Sequence, residues 1–354
     1  FQITGDQWLD PSSFRVGFDL YNDETQDQVN LYPLSGPHSF FKRLRVLCNG
    51  QIVEDIDDYN RVHEMFVNLQ PKEKRDNDEA EGFCNEWDMD TYLKVAITPS
   101  NGTVPRILTG EFRRVLFKPL SGLLSQQKYI PLRYCPLTIE LELVNKYEEP
   151  IVSNTGTGLA FKPTTTSLKW HIENAVVKCD VCTLDNALDN SYAEHLLSGK
   201  SLPINYNTFI SQIQSILSGN DTGQKKVRLN VTRALSRLKS VFITLYRDNI
   251  TEDSGTSGRN RFNTFYSPAK VYDEIMSPNE YGFEFQLQIG SKLYPEYPIT
   301  SHQEGYYHLR KAVGGQGNKY NTIGITARQY AGAKFILGMD MERVLESGFS
   351  GINT

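Results

Sequence analysis

Cys179-Asp-Val-Cys182 is the spacing in this chain that most invites chemistry, because two thiols three residues apart can share a metal ion or a redox cycle. A strand defeats that use, since residues three apart on a strand point to opposite faces. No second Cys-x-x-Cys and no His-x3-His pair supplies the remaining ligands. A redox pair also needs its first thiol at a helix N-terminus, and this one lies inside an expected strand. The other cysteines are Cys48, Cys84 and Cys135. An odd total of 5 in a long chain excludes a small disulfide scaffold, and the expectation is reduced thiols packed as small apolar groups.

Five other groupings carry weaker chemistry. Glu54, Asp55, Asp57 and Asp58 form an acidic run that would attract Ca²⁺, but it lacks the glycine and distal glutamate of an EF-hand loop. The positive end of a following helix accounts for it equally well. His38, His63, His171, His195, His302 and His308 are scattered, and none sits in a nucleophile motif. A triad is defined by geometry, so sequence leaves that question to the fold. Gly314, Gly315 and Gly317 make a loop without the lysine of a phosphate loop or the spacing of a dinucleotide turn. Lys42, Arg43 and Arg45 sit on an expected strand with Arg43 and Arg45 on one face; phosphates or an acidic neighbour would suit them, and a solvated outer face is the preferred reading. Asn101, Asn220, Asn230 and Asn249 begin N-x-Ser/Thr triplets, which arise often by chance. No residue is assigned to catalysis, to a cofactor or to a metal.

The elements that would position these residues are mostly strands. In residues 112–145 an apolar strand leads into a Leu-rich turn, a Pro-punctuated strand, and then Leu137, Ile139, Leu141 and Leu143 alternating with Thr138, Glu140 and Glu142. Period-two alternation marks a strand with one buried face. Phe14, Val16, Phe18 and Leu20 repeat it, and Phe283, Phe285, Leu287 and Ile289 show it most cleanly. Residues 40–56 are expected to be a hairpin, because Asn49-Gly50 supplies the positive φ of a type I′ turn. Residues 57–69 are expected to be helical, with Asp57 or Asp58 as cap, a stripe of Tyr59, Val62, Phe66 and Leu69, and Pro71 beyond the end. A second helix is expected over 186–199, stopped by Gly199. Further strands are expected at 91–98, 167–184, 203–217, 227–248, 320–327 and 333–341, with polar surface loops at 72–90 and 249–268. Single helices lodged between strands do not make the βαβ alternation of a parallel sheet.

A length of 354 residues suggests two domains. The division expected from composition is an N-terminal unit over 1–150, a Gly/Thr/Ser/Pro-rich linker over 151–166, and a C-terminal unit over 167–354. No terminal strand is legible after Val344, so the second unit is expected to lack its last strand and the natural chain to continue past Thr354. The chain opens on Phe1 rather than Met, so a trimmed or partial polypeptide is also expected. The 19 Tyr and 18 Phe supply ample core for strands. A formal net charge of −5 argues against gripping nucleic acid as the main task. No apolar run of the roughly 18 residues that a spanning helix needs is present.

Three segments carry a family resemblance. VLFKPLSGLLSQQKYIPLRYCPLTIELELV (115–144), NGQIVEDIDDYNRVHEMF (49–66) and AKFILGMDMERVLESGFSG (333–351) resemble stretches of double jelly-roll major capsid proteins of eukaryotic DNA viruses, nearest to polinton-like viruses and virophages. The resemblance implies an all-β fold: two tandem eight-stranded antiparallel jelly-roll sandwiches, with a few short helices in the inter-strand loops. It implies a structural protein of the virion, not an enzyme, that forms pseudo-hexameric homotrimers tiling an icosahedral shell and is assembled inside the host cell. Implied partners are further copies of the chain, neighbouring capsomers, and penton and minor capsid proteins, with no cofactor and no specific nucleic-acid binding. The polar loops 72–90 and 249–268 would then be outward towers. The alternative is a two-domain β-sandwich carbohydrate-binding protein or glycoside hydrolase, which needs exposed tryptophans and paired carboxylates. Only Trp8, Trp87 and Trp170 are available, and Trp170 falls in an expected buried strand.

Overall fold

The computed structural model describes residues 1–27, 29–78, 80, 82, 107–151, 167–216, 226–246, 264–268, 283–314, 323–332, 334–342 and 350–354. Among them the fold is mostly β-sheet with a few helices. The strand expected at 91–98, residues 152–166 of the linker expected over 151–166 and most of the 249–268 loop lie outside the described residues, as do residues 79, 81 and 83–90 of the expected 72–90 loop.

Three short strands, β1 (Gln2–Ile3), β2 (Trp8–Leu9) and β3 (Arg15–Asn22), open the chain. The expected hairpin follows as β4 (Phe41–Cys48) and β5 (Gln51–Ile56). Its turn uses Asn49 at φ 49° and Gly50 at φ 79°, the left-handed pair that matches strand twist. After helices α1 (Tyr59–Leu69) and α2 (Lys72–Asp78) come β6 (Phe112–Phe117), β7 (Ile130–Pro131) and β8 (Leu137–Leu143). One sheet has the order β1-β8-β4-β5, all antiparallel.

The second sheet corrects the sequence reading. β9 (Trp170–Lys178) had been expected in the C-terminal half, yet it pairs antiparallel with β3 to give the order β6-β3-β9. β10 (Val181–Cys182) likewise joins β2 and β7. Strand pairing therefore carries the first sandwich through Cys182. The expected long strand 167–184 is two strands. Its mixed alternation has a cause, because the β9 register slips opposite Gly17/Asp19 and Asn174 sits there at φ 51°.

The two larger sheets share one core. Val16, Phe18 and Leu20 of β3 and Val115 and Phe117 of β6 pack in one cluster with Leu44 and Val46 of β4 and Leu137 and Ile139 of β8. Phe18 meets Phe41 edge-on at 5.6 Å between ring centres. Face-to-face sheets with alternating inward side chains are a sandwich. Each of these side chains contributes about 1.5–3 kcal/mol by leaving water.

A disulfide joins Cys48 to Cys135, with their Cα atoms 5.5 Å apart, and it overturns the expectation that these thiols are reduced. The β4–β8 register explains it: Cys48 lies opposite Leu137, two residues from Cys135. Cys179 and Cys182 are free and half-buried as expected, and Cys84 lies outside the described residues.

Beyond Cys182 order is sparser. α3 (Asn186–Leu197) ends at Gly199, φ 79°, as expected, and buries none of its residues. The strands expected over 203–217 and 227–248 reduce, among the described residues, to β11 (Ser240–Thr244). Residues 201–216 and 226–236 run outside any ladder. β12 (Phe285–Ile289) and β13 (Lys292–Ile299) form a hairpin, α4 (His302–Ala312) and α5 (Ala327–Ala331) follow, and β14 (Ile336–Asp340) pairs with β11. Residues 323–326 are not strand, and 327 begins a helix, against the expected strand at 320–327. Thr326 and Gln329 form a capping box there, which fixes a helix start.

Candidate functional site

The densest group of buried ionisable residues lies on and around α1. The helix is buried on more than its expected stripe, because Asn60, His63, Glu64 and Asn68 are buried beside Tyr59 and Leu69. Asp58 precedes it in a left-handed conformation with no side-chain cap bond, so the expected carboxylate cap is replaced by main-chain contacts: the Asp58 carbonyl accepts from the N–H groups of Arg61 at 3.0 Å and Val62 at 3.1 Å. Burial, then Asp57, pushes the Asp58 carboxyl above its ordinary value.

Glu64 is the hub. Its Oε2 accepts from Ser35 Oγ at 2.5 Å and lies 2.9 Å from His38 Nε2. Its Oε1 accepts from Asn68 Nδ2 at 3.0 Å. Burial by itself would raise this carboxyl, but the hydrogen bonds from His38 and Ser35 and the charge of Lys334 outweigh it and hold it below its ordinary value. The His63 ring lies tilted against that of His38 with ring centres 4.2 Å apart, and its Nδ1 lies 3.1 Å from the Tyr59 hydroxyl. The Tyr59 hydroxyl accepts the Leu120 N–H at 2.8 Å. Burial first, then the neighbouring His38 and Lys74, drive the His63 imidazole well below its ordinary value.

Serine, histidine and a carboxylate therefore do meet, but not as a catalytic relay. Ser35 and His38 share one oxygen of Glu64, whereas a relay needs the imidazole between nucleophile and carboxylate. All three residues are at most 3% exposed, so no substrate reaches them. The group holds elements together. α1 places Tyr59 in the first core and Met65 and Leu69 in a second, with Phe265, Leu309, Tyr330 and Phe335. Phe66 packs edge-on against Phe242 at 5.5 Å, and Arg61 lies over the Tyr246 ring at 4.5 Å.

The other sequence candidates disperse into separate structural tasks. Glu54 accepts from the N–H groups of Gly122 at 2.7 Å and Leu123 at 3.3 Å and from the Ser121 hydroxyl, and so caps a short 3-10 turn at Leu123–Ser125. A side chain at Gly122 would strike the Asn207 carbonyl, so glycine there lets residues 203–211 cross this turn. Asp55 takes a bidentate pair from Arg43 at 2.8 and 2.7 Å, and Arg45 meets Glu140 at 2.8 Å. The acidic neighbour weighed for these arginines is thus their own sheet. Among the described residues no group of three or more His, Cys, Asp or Glu is placed to hold a metal ion.

The remaining histidines stand apart. His171 bridges Asp23 at 2.6 Å and Glu173 at 3.2 Å, and the Asp23 hydrogen bond raises its pKa. His302 Nε2 meets Ser267 Oγ at 2.8 Å, and burial lowers its pKa. Burial and Lys311 lower His308, while His195 lies on α3. Gly314 closes α4 at φ 74°, and Gly315 and Gly317 lie outside the described residues. Among the N-x-Ser/Thr asparagines, Asn230 is exposed, and Asn101, Asn220 and Asn249 lie outside the described residues. Trp8 is buried against Tyr192, and Trp170 packs on Phe40 and donates to the Tyr147 carbonyl at 2.8 Å, so neither lines an open groove. Trp87 lies outside the described residues.

Sequence reading did not find the Ser35–His38–Glu64 group, because its members face one another only after the 3-10 turn Pro37–Phe40 docks on α1. A Glu and a His side by side in an otherwise apolar helix stripe were the available signal.

Solved structures share this fold. The chain matches a quasi-atomic model of the PBCV-1 virus capsid over 100% of its own length and 75% of that chain, at 13% identity and a TM-score of 0.52. The fold is that of a viral capsid protein, in agreement with the resemblance to double jelly-roll major capsid proteins. A crystal structure of PBCV-1 VP54 fitted into a cryo-EM reconstruction of the virophage Sputnik aligns with 55% of the chain at 16% identity and a TM-score of 0.33, and the chain spans only 40% of it. No family model matches the sequence, and no curated protein matches it.

Proposed function

We propose that this chain is a structural subunit of a viral shell: a double jelly-roll major capsid protein that forms homotrimers of pseudo-hexameric outline and tiles an icosahedral capsid. The observation that carries the proposal is the fold match along the whole chain to a capsid model. Packing supports it, because carboxylates that could do acid–base work, such as Glu54 and Glu64, are committed to internal hydrogen bonds. A shell subunit needs rigid, repeatable surfaces and no reactive cleft, so the reading assigns no reaction, no cofactor and no metal.

In this reading the first jelly roll runs through Cys182 and the second occupies the rest of the chain. The partners are two further copies in the trimer, neighbouring capsomers, and penton and minor capsid proteins, all in the virion. Three copies joined head to tail close into a ring. The test is solution mass by light scattering with negative-stain imaging. A particle of about 120 kDa, three times the 40.3 kDa chain, with a six-lobed outline is expected. A strict monomer at micromolar concentration contradicts the proposal. The carbohydrate alternative gains nothing from Trp8 and Trp170, which are occupied inside the fold.

A further inference from the structure

We propose that the α1 junction is an acid-operated latch, in which a proton taken up by His63 places a cation against the His38 ring and unseats the helix that ties the two cores together. Nothing in the capsid reading requires this, and it stands or falls separately.

The geometry makes α1 the common element. Tyr59 belongs to the first core, while Met65 and Leu69 belong to the second. Phe66 and Arg61 add ring contacts to Phe242 and Tyr246. Between these anchors sits His63, at most 9% exposed, with its ring centre 4.2 Å from that of His38 and 6.4 Å from that of Phe117.

The charged and titratable groups facing this site come from every element packed on it. Tyr59, Arg61 and Glu64 lie on α1 itself, His38 on the Pro37–Phe40 turn, and Lys74 on α2. Lys334 and Tyr246 come from the C-terminal region, and Glu54 acts on Tyr59 from β5. Among the described residues, Glu64 is the buried carboxylate beside His63 on α1, and it is already engaged by His38, Ser35 and Asn68. Among the described residues, His38 and Lys74 both disfavour a cation at His63, and a buried tyrosine hydroxyl is its hydrogen-bond partner. A buried charge without its own counter-charge is expelled toward water.

The direction with pH follows from linkage. Folded, His63 holds its proton far more weakly than an exposed imidazole of pKa 6.5. The opened helix therefore binds one more proton than the closed helix below about pH 6.5. The closed state is fully favoured above that value and loses ground as pH falls. One proton gives an opening constant that rises about tenfold per pH unit. Glu64, whose carboxyl is held below 4.5, adds its own loss only in stronger acid.

Amide hydrogen exchange of the full chain, corrected for intrinsic rates, tests the latch between about pH 7.5 and about pH 5. Protection of residues 59–69 is expected to fall by roughly 30-fold over the last 1.5 units, while β4, residues 41–48, keeps its protection. In His63→Gln, which retains a polar partner for Tyr59 but cannot ionise, that selective loss is expected to vanish. Protection of 59–69 that is independent of pH overturns the proposal, and so does a His63→Gln protein as acid-sensitive as wild type. If His63→Gln does not fold, titration of the wild-type imidazole by NMR decides: the transition of His63 must coincide with the loss of α1 protection, and separate transitions overturn it.

Discussion

Residues 14–56 and residues 203–216 with 226–233 are both expected to be strand-rich, yet among the described residues only the first region builds sheets. In the first region Val16, Phe18 and Leu20 face inward, and every strand finds a hydrogen-bonded neighbour. In the second, Ile210, Ile213 and Ile216 are 41–57% exposed, as are Val227, Leu229 and Val231 at 40–66%. Its own side chains hold it in place instead. Tyr206 Oη donates to the Val53 carbonyl at 2.8 Å, Ser211 Oγ to that of Asp57 at 2.6 Å, and Gln214 Nε2 to that of Asn230 at 2.6 Å. Alternation states which face a segment would bury. A ladder also needs a turn or neighbour that fixes register, and Asn49-Gly50 supplies one in the first region.

The largest expected break in that contrast is reduction of the Cys48–Cys135 bond. It closes a loop of 87 residues inside the first sandwich. Chain entropy puts its contribution at about 4–5 kcal/mol. Denaturant unfolding with and without reductant should show that loss in probes of β4 and β8. An unchanged midpoint would mean that the bond adds nothing to the first region's advantage.

Core truncation sharpens the same contrast. Phe18→Ala removes a ring packed against Phe41 and Phe117, and a cost of about 3–5 kcal/mol is expected. Ile213→Ala, on the exposed segment, should stay within about 0.5 kcal/mol. Urea midpoints at constant slope measure both. Equal costs would place Ile213 in a packed sheet and erase the distinction.

What was legible follows the same division. The strands around Phe18, Leu44 and Ile139 and the hairpin turn could be read because periodicity, turn chemistry and packing agree there. The membership of β9 could not, since strand order is non-local and the linker's composition pointed the other way. β13 was hidden by Pro295 and Pro298, which demote a run on sequence grounds, although a two-stranded edge tolerates them. α4 was overlooked despite Ser301-x-x-Glu304, whose Ser301 hydroxyl accepts the Glu304 N–H at 3.2 Å. The α1 polar group was out of reach, because Ser35, His38, Glu64 and Lys334 converge only in three dimensions.

Asp19 offers a smaller, pH-dependent test within the first region. Its carboxylate takes a bidentate pair from Arg114, both bonds 2.7 Å, and a third bond from Asn174. The Arg114 hydrogen bond holds its pKa below 3.8 in spite of burial. That stabilisation is complete above the unfolded value and is lost as pH falls through the folded one. Asp19→Asn should cost on the order of 1 kcal/mol at neutral pH, a modest figure because Arg114 is mostly in water. Thermal melts of the two proteins should converge in acid below about pH 3. A constant gap would assign the effect to packing.

The smallest effect is expected on the outer face of β4. Arg43 and Asp55 form a well-aligned pair, in which Asp55 raises the pKa of Arg43 and Arg43 lowers that of Asp55. Both side chains are 35% exposed, so water screens most of the attraction. Arg43→Ala should cost about 0.2–1 kcal/mol, and added salt should shrink the difference. A double-mutant cycle with Asp55→Ala isolates the pair from the packing of the arginine stem. A coupling well above 1 kcal/mol that resists salt would show that the first region owes its order to its charged outer face as well as to its core.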